Sequence, residues 1–207
     1  MITDQVILLI VCYLIGSIPF GFLVVHLKSR VDIRDHGSGN IGMTNVIRTT
    51  GVKAGILVLT LDTLKGILPI YVSRQVYSDP NMDTLAAIAV LIGHVWPVFL
   101  KFRGGKGVAT GMGSFCFISP VCGLITVGVG CLVLLVTRYV SLSAIIAAVV
   151  ALASMLSLYN FYPDSSISNS LDTYIIYPVV GVPLIIFRHR ENIGRLFRGE
   201  ERKFGRS

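Results

Sequence analysis

Three stretches of this sequence set groups that hold anions at close spacing. The first reads His36-Gly37-Ser38-Gly39-Asn40-Ile41-Gly42-Met43-Thr44-Asn45-Val46-Ile47-Arg48. Glycines let backbone N–H groups approach an anion closely, and Ser38, Asn40, Thr44, Asn45 and Arg48 add side-chain donors. Gly37, Gly39 and Gly42 also fit the spacing of a dinucleotide fingerprint. That motif needs a strand before it and a βαβ unit around it, whereas here a long apolar run precedes it. The competing explanation for this stretch alone is a solvated turn that caps the following helix.

The second stretch runs from His94 through Trp96, Pro97, Lys101 and Arg103 to Gly104-Gly105-Lys106-Gly107-Val108-Ala109-Thr110. It departs from a Walker P-loop, because Gly107 stands where Ser or Thr should follow the lysine. Gly-Gly-Lys-Gly at the start of an apolar helix still brings together free N–H groups, a positive helix end and an ammonium, which stabilise an anionic ligand. A simple basic anchor with Trp96 as interfacial aromatic accounts for Lys101 and Arg103 but not for three glycines. The third stretch, His189-Arg190-Glu191-Asn192-Ile193-Gly194-Arg195-Leu196-Phe197-Arg198, follows the last apolar run. A basic amphipathic tail on anionic headgroups explains its arginines, but not His189, which can act as acid or base near neutral pH, nor the polar handle of Asn192.

The elements that carry these stretches are set by composition. With 53% hydrophobic and 14% charged residues, the chain is unlike an ordinary soluble domain. Its apolar residues come in blocks of bilayer length: Gln5–Leu27, then residues 54–73, 84–100, 121–137, 141–160 and 173–187. The leader before the first block has no basic residue and no small-residue cleavage site ends that block, so it reads as a span and not a signal peptide. Residues 106–119 are shorter and glycine-rich, a short span or a re-entrant arm. Asp62 and Lys65, three apart on one helix face, form the expected partners of an intramembrane charge pair. The four cysteines, Cys12, Cys116, Cys122 and Cys131, lie inside apolar blocks without metal spacing, and neither metal nor cofactor is expected.

Charge then orients the chain. With the amino terminus outside, only Arg74 and the intramembrane Lys65 of the 18 basic residues lie away from the inner loops and the tail. Keeping the tail inside requires residues 105–137 to cross twice or not at all. The expectation is therefore a single all-α transmembrane domain over residues 1–207 with about seven spans, one of them short, and a cytoplasmic carboxyl terminus. The outer connectors, around Tyr77–Asp83 and Asn160–Asp172, are short and acidic.

Taken together, Gly-Ser-Gly-Asn-Ile-Gly with Thr44-Asn45 and Arg48, Gly93-His94 with Gly-Gly-Lys-Gly, and His-Arg-Glu-Asn with Arg195-Leu196 resemble the bacterial acyl-phosphate:glycerol-3-phosphate acyltransferases, the PlsY family. The turn Arg138-Tyr139-Val140-Ser141-Leu142-Ser143 looks like the family's remaining inner loop, where the hydroxyls of Ser141 and Ser143 either meet a phosphate or cap a helix. The resemblance covers nearly the whole chain. It implies transfer of a fatty acyl group from acyl phosphate to the 1-hydroxyl of glycerol 3-phosphate, giving lysophosphatidic acid and phosphate. The site expected from it lies at the cytoplasmic face of a bacterial inner membrane, with membrane lipid around it and no nucleic acid partner. Ser38, Arg48, Lys106, His189 and Asn192 are the expected catalytic set. Gly39, Asn40, Gly42, Thr44, Asn45, Arg103, Gly104, Gly105, Gly107, Ser141, Ser143 and Arg195 are the expected substrate-binding set.

The His-x4-Asp motif of the thioester-using glycerolipid acyltransferases is absent, since Val31, Ile41, Phe99 and Gly194 stand where its aspartate would. An acyl phosphate loses phosphate without a strong general acid, so positioning and charge suffice. Direct attack without an acyl-enzyme is expected, the base being His189 or an oxygen of the substrate's phosphate. The alternative from another class is a carrier for a phosphorylated metabolite, but no inverted repeat is visible and the polar stretches gather at one face. A basic membrane anchor for a protein partner would explain the tail and leave both glycine-rich loops without purpose.

Overall fold

The computed structural model describes residues 2–161 and 171–205, and every regular element among them is helical. Most of the outer connector expected around Asn160–Asp172 lies outside the described residues. By its contacts the chain forms two compact units, Met1–Ser114 and Phe115–Ser207. The first holds α1 (Ile2–Ser17), α2 (Phe20–Ser29), α3 (Met43–Thr50), α4 (Val52–Tyr77), α5 (Pro80–Val95) and most of α6 (Val108–Ile118). The second holds the end of α6 with α7 (Pro120–Thr137), α8 (Val140–Phe161), α9 (Ile176–Arg188) and α10 (Arg190–Phe197).

Among the described residues, six helical stretches are long and apolar enough to cross a membrane: Ile2–Ser29, Val52–Tyr77, Pro80–Leu100, Pro120–Thr137, Val140–Phe161 and Leu171–Arg188. They coincide with the six blocks read from hydropathy, and α6 is the shorter apolar helix between the third and fourth. The distribution of side chains is that of a protein solvated by lipid. Leu124, Leu135 and Leu132 face outward, while Thr110, Ser114 and Thr126 are buried. With lipid as apolar as leucine, helices associate through small residues and interhelical hydrogen bonds.

Unit one shows this packing plainly. Gly16 of α1 lies against the Val90 carbonyl of α5, and Gly93 of α5 lies against the Tyr13 carbonyl, so a side chain at either would strike backbone. Gly66 of α4 and Gly113 of α6 make the same close approach, and Ser114 Oγ donates to the Gly66 carbonyl at 2.9 Å. Pro19, lacking an N–H, breaks the first span into α1 and α2. At the hairpin between α4 and α5 Asp79 caps α5 through the Asn81 N–H, and Arg74 pairs with Asp83 at 2.9 Å. A buried cluster of Val25, Ile33, Ile41, Val46, Ala54, Val58 and Leu100 supports α3 and the loops on either side.

In unit two, α7 and α8 pack through small residues. Ala144, Ala147, Ala148 and Ala151 form a buried stripe on α8, and Gly130 of α7 faces Ala147. Ser143 Oγ donates to the Gly130 carbonyl at 2.7 Å, an interhelical bond in an apolar setting.

Candidate active site

The first glycine-rich loop is built around Asn45, on the first turn of α3 and buried. Its Oδ1 accepts from the Ser38 N–H at 2.9 Å, and its Nδ2 donates to the carbonyls of His36 and Asn40, each at 2.9 Å. The sequence suggested Asn45 as a substrate donor. Its amide is instead engaged by the loop's own backbone, so the residue shapes the loop that presents Ser38. Asn40 turns the same way inward, accepting from the Gly42 N–H at 2.9 Å. Gly37 has φ of +63° and sits against the Asn45 carboxamide, where a side chain would collide. Ser38 and Gly39 are exposed at the loop's tip, Arg48 is exposed on α3, and Thr44 lies half-buried at the helix start. Behind the loop, Arg34 reaches Asp32 at 2.6 Å and this hydrogen-bonded partner holds the Asp32 carboxyl below its ordinary value.

The second loop doubles back against the end of α5. Its Gly105 N–H donates to the His94 carbonyl at 3.1 Å, and Lys101 and Phe102 take left-handed conformations, φ +51° and +62°, to make the reversal. A side chain on Gly104 would meet the carbonyls of His94 and Val95, and one on Gly105 would meet the His94 ring. Gly104 is therefore required by the close approach of backbone, and Gly105 by the His94 ring, whatever they bind. Lys106 follows, half-buried, then Gly107, and α6 begins at Val108, while Arg103 is exposed. Leu100, just before the loop, belongs to the same buried cluster as Ile33, Ile41 and Val46. Both glycine-rich loops of unit one thus rest on one core.

Unit two gathers the remaining residues around a carboxylate that sequence reading gave no role. Glu201 Oε1 accepts from Ser141 Oγ and from Asn192 Nδ2, each at 2.7 Å, and Oε2 accepts from Arg195 Nε at 2.8 Å. Burial raises this carboxyl, but the hydrogen bonds from Ser141, Asn192 and Arg195 outweigh it, and the net value lies below the ordinary one. Thus Ser141, Asn192 and Arg195 come together, whereas Ser143 is turned to α7. His189 stands at the junction of α9 and α10, buried, with Nδ1 2.8 Å from the Ile185 carbonyl. A carbonyl can only accept, so that contact puts the proton on Nδ1 and leaves the lone pair of a neutral ring on Nε2. Among the described residues, no group of three or more His, Cys, Asp or Glu is placed to hold a metal ion.

A polytopic helical membrane protein with anion-ready loops is the class that fold and residues define. Residues 6–199 match the family model described as glycerol-3-phosphate acyltransferase, and the chain belongs to that family. It is 41% identical over 201 residues to the glycerol-3-phosphate acyltransferase of Rubrobacter xylanophilus, covering 97% of this chain and 96% of that protein. Identity to the corresponding protein of Alkaliphilus metalliredigens is 42% over 202 residues, 98% of this chain and 97% of that one. The crystal structure of PlsY, an integral membrane glycerol 3-phosphate acyltransferase, in its glycerol 3-phosphate form is similar with a TM-score of 0.86 at 40% identity, covering 98% of this chain and 96% of that chain. Its lysophosphatidic acid form gives 0.84 with the same identity and coverage. The three motifs that carry the sequence resemblance all lie within the matched residues.

Proposed function

We propose that this protein transfers an acyl group from acyl phosphate to the 1-hydroxyl of glycerol 3-phosphate, at the cytoplasmic face of a bacterial inner membrane, yielding lysophosphatidic acid and inorganic phosphate. One observation carries the reading: two loops able to hold anions, one with Ser38 and leading into the helix of Arg48, the other with Lys106, share a single buried core. Both substrates carry a phosphate, which suits a site built from backbone N–H groups and cations. The PlsY structure is described with glycerol 3-phosphate and with lysophosphatidic acid, which supports the same acceptor and product here.

Ser38, Arg48, Lys106, His189 and Asn192 orient the two phosphates, and the glycine-rich backbones and Arg195 assist. The hydroxyl oxygen attacks the acyl carbonyl carbon, the carbon–oxygen bond to phosphate breaks, and the phosphate leaves with the electron pair. The hydroxyl proton passes to a phosphate oxygen of the substrate. His189 is the protein group chemically able to take it instead. No residue is acylated, so mass spectrometry after mixing protein and acyl phosphate alone should find no covalent adduct, and an adduct on Ser38 would overturn the direct route.

The test is phosphate release from acyl phosphate by purified protein in detergent, with and without glycerol 3-phosphate. Release that depends on glycerol 3-phosphate, forms lysophosphatidic acid and collapses in Ser38→Ala and Lys106→Ala supports the reading. Absence of product with any acyl donor, together with uptake of glycerol 3-phosphate by reconstituted vesicles, would replace it with a carrier.

A further inference from the structure

His94 touches the second glycine-rich loop at two points. Its carbonyl accepts from the Gly105 N–H at 3.1 Å, and its ring edge at Nε2 lies where a Gly105 side chain would be. The other ring nitrogen faces the membrane interior of unit one. Nδ1 is 3.2 Å from Thr110 Oγ1 on α6 and 3.7 Å from Asp62 Oδ1 on α4. Asp62 pairs with Lys65 at 2.8 Å, and Lys65 Nζ also donates to the Ile18 carbonyl at 2.8 Å, at the break that Pro19 makes between α1 and α2. Asp62, Lys65 and His94 are each no more than 4% exposed, and Thr110 is fully buried.

Such a chain of buried polar groups is costly in an apolar interior, and a half-satisfied one would be worse than none. The close glycine contacts join α1 to α5 through Gly16 and Gly93 and α4 to α6 through Gly66 and Gly113, and the polar chain runs between those two pairs and on to the loop. What the chain does accomplish is to fix one imidazole against one loop from two directions. We propose that His94 is a positioning residue for acyl transfer, that it holds Gly104–Gly105–Lys106 in the geometry that meets a substrate phosphate, and that Asp62, Lys65 and Thr110 set its ring. The proposal rests on the acyltransferase reading for its consequence and on unit one alone for its geometry.

His94→Asn keeps a hydrogen-bonding atom near the Nδ1 position and removes the ring edge against Gly105, so it separates loop support from the buried network. The charge-neutral pair Asp62→Asn/Lys65→Met removes the network's ions without leaving either one buried alone. Both are compared with the unaltered protein by hydrogen exchange of residues 103–107 and by steady-state kinetics with each substrate. The expected result is faster exchange in that segment with other segments unchanged. The KM of at least one phosphate-bearing substrate should rise about tenfold while kcat at saturation changes less than about twofold. In His94→Asn, adding Gly105→Ala should recover part of the lost KM, because the methyl group fills the space the ring edge vacates.

Exchange equal to that of the unaltered protein overturns the proposal. So does a loosened loop with both KM values unchanged, or a fall in activity that only tracks a fall in folded protein. If the unaltered protein itself forms no lysophosphatidic acid, the acyltransferase reading fails, and the exchange difference still decides whether His94 holds the loop.

Discussion

Replacing Asn45 by alanine would take the partner from the Ser38 N–H and from the His36 and Asn40 carbonyls at once. These bonds are part-buried, and a hydrogen bond contributes about 1 kcal/mol net, so the variant should lose about 3 kcal/mol of stability in thermal unfolding, and its activity should fall with the loop. Glu201 makes a prediction of the opposite chemistry. Its folded-state value is depressed, so its contribution to stability is fully present above the usual glutamate value of about 4.3 and is lost as pH falls through the lower folded value. Melting temperature recorded between neutral pH and about 3.5 should therefore drop more steeply for the unaltered protein than for Glu201→Gln, which lacks the titrating group. Neither role was legible in the sequence. Asn45 stands in a run of plausible donors, and only the fold decides which of them turn inward. Glu201 meets Ser141 sixty positions away, and a single carboxylate in a basic tail carries no sign of such a partner.

At the scale of the elements, the sequence carried most of the answer. Apolar blocks at residues 54–73 and 84–100 became Val52–Tyr77 and Pro80–Leu100, because hydropathy reports the membrane's thickness and only capping and turn geometry move the ends. Hydropathy could not show the interruption at Pro19, since both sides of it are equally apolar, nor that Lys65 would reach the carbonyl beside it. The expected pairing of Asp62 with Lys65 is present at 2.8 Å. Lys65→Met should thus be far more damaging than the pair of changes described above. One buried partner left alone costs about 3–5 kcal/mol, whereas replacing both is close to neutral, and thermal unfolding in detergent would measure the difference. In unit two, Gly130 and Ala147 face each other across α7 and α8. Ala147→Leu should force those helices apart and cost about 1–3 kcal/mol, read by the same melting experiment.

For the whole molecule, the number of crossings turns on α6. Eleven residues at about 1.5 Å each give about 16 Å, roughly half of a hydrocarbon core of about 30 Å. Non-helical backbone at membrane depth is tolerated only where it is buried in protein and its polar groups are satisfied. Gly105 and Gly107 are buried, and the Gly105 N–H has the His94 carbonyl. The expected topology counts α6, with the loop before it, as one short span, giving seven crossings and a cytoplasmic carboxyl terminus. In a variant lacking Cys12, Cys116, Cys122 and Cys131, single cysteines at Ser78, Pro120 and Gly199 test this with a thiol reagent that does not cross sealed vesicles. Labelling of positions 78 and 120 from outside and of 199 only after permeabilisation is the expected pattern. If position 120 stays unlabelled from outside while 78 reacts, residues 106–137 form a re-entrant hairpin, the crossings number five, and α6 serves only to carry Thr110 beneath the loop.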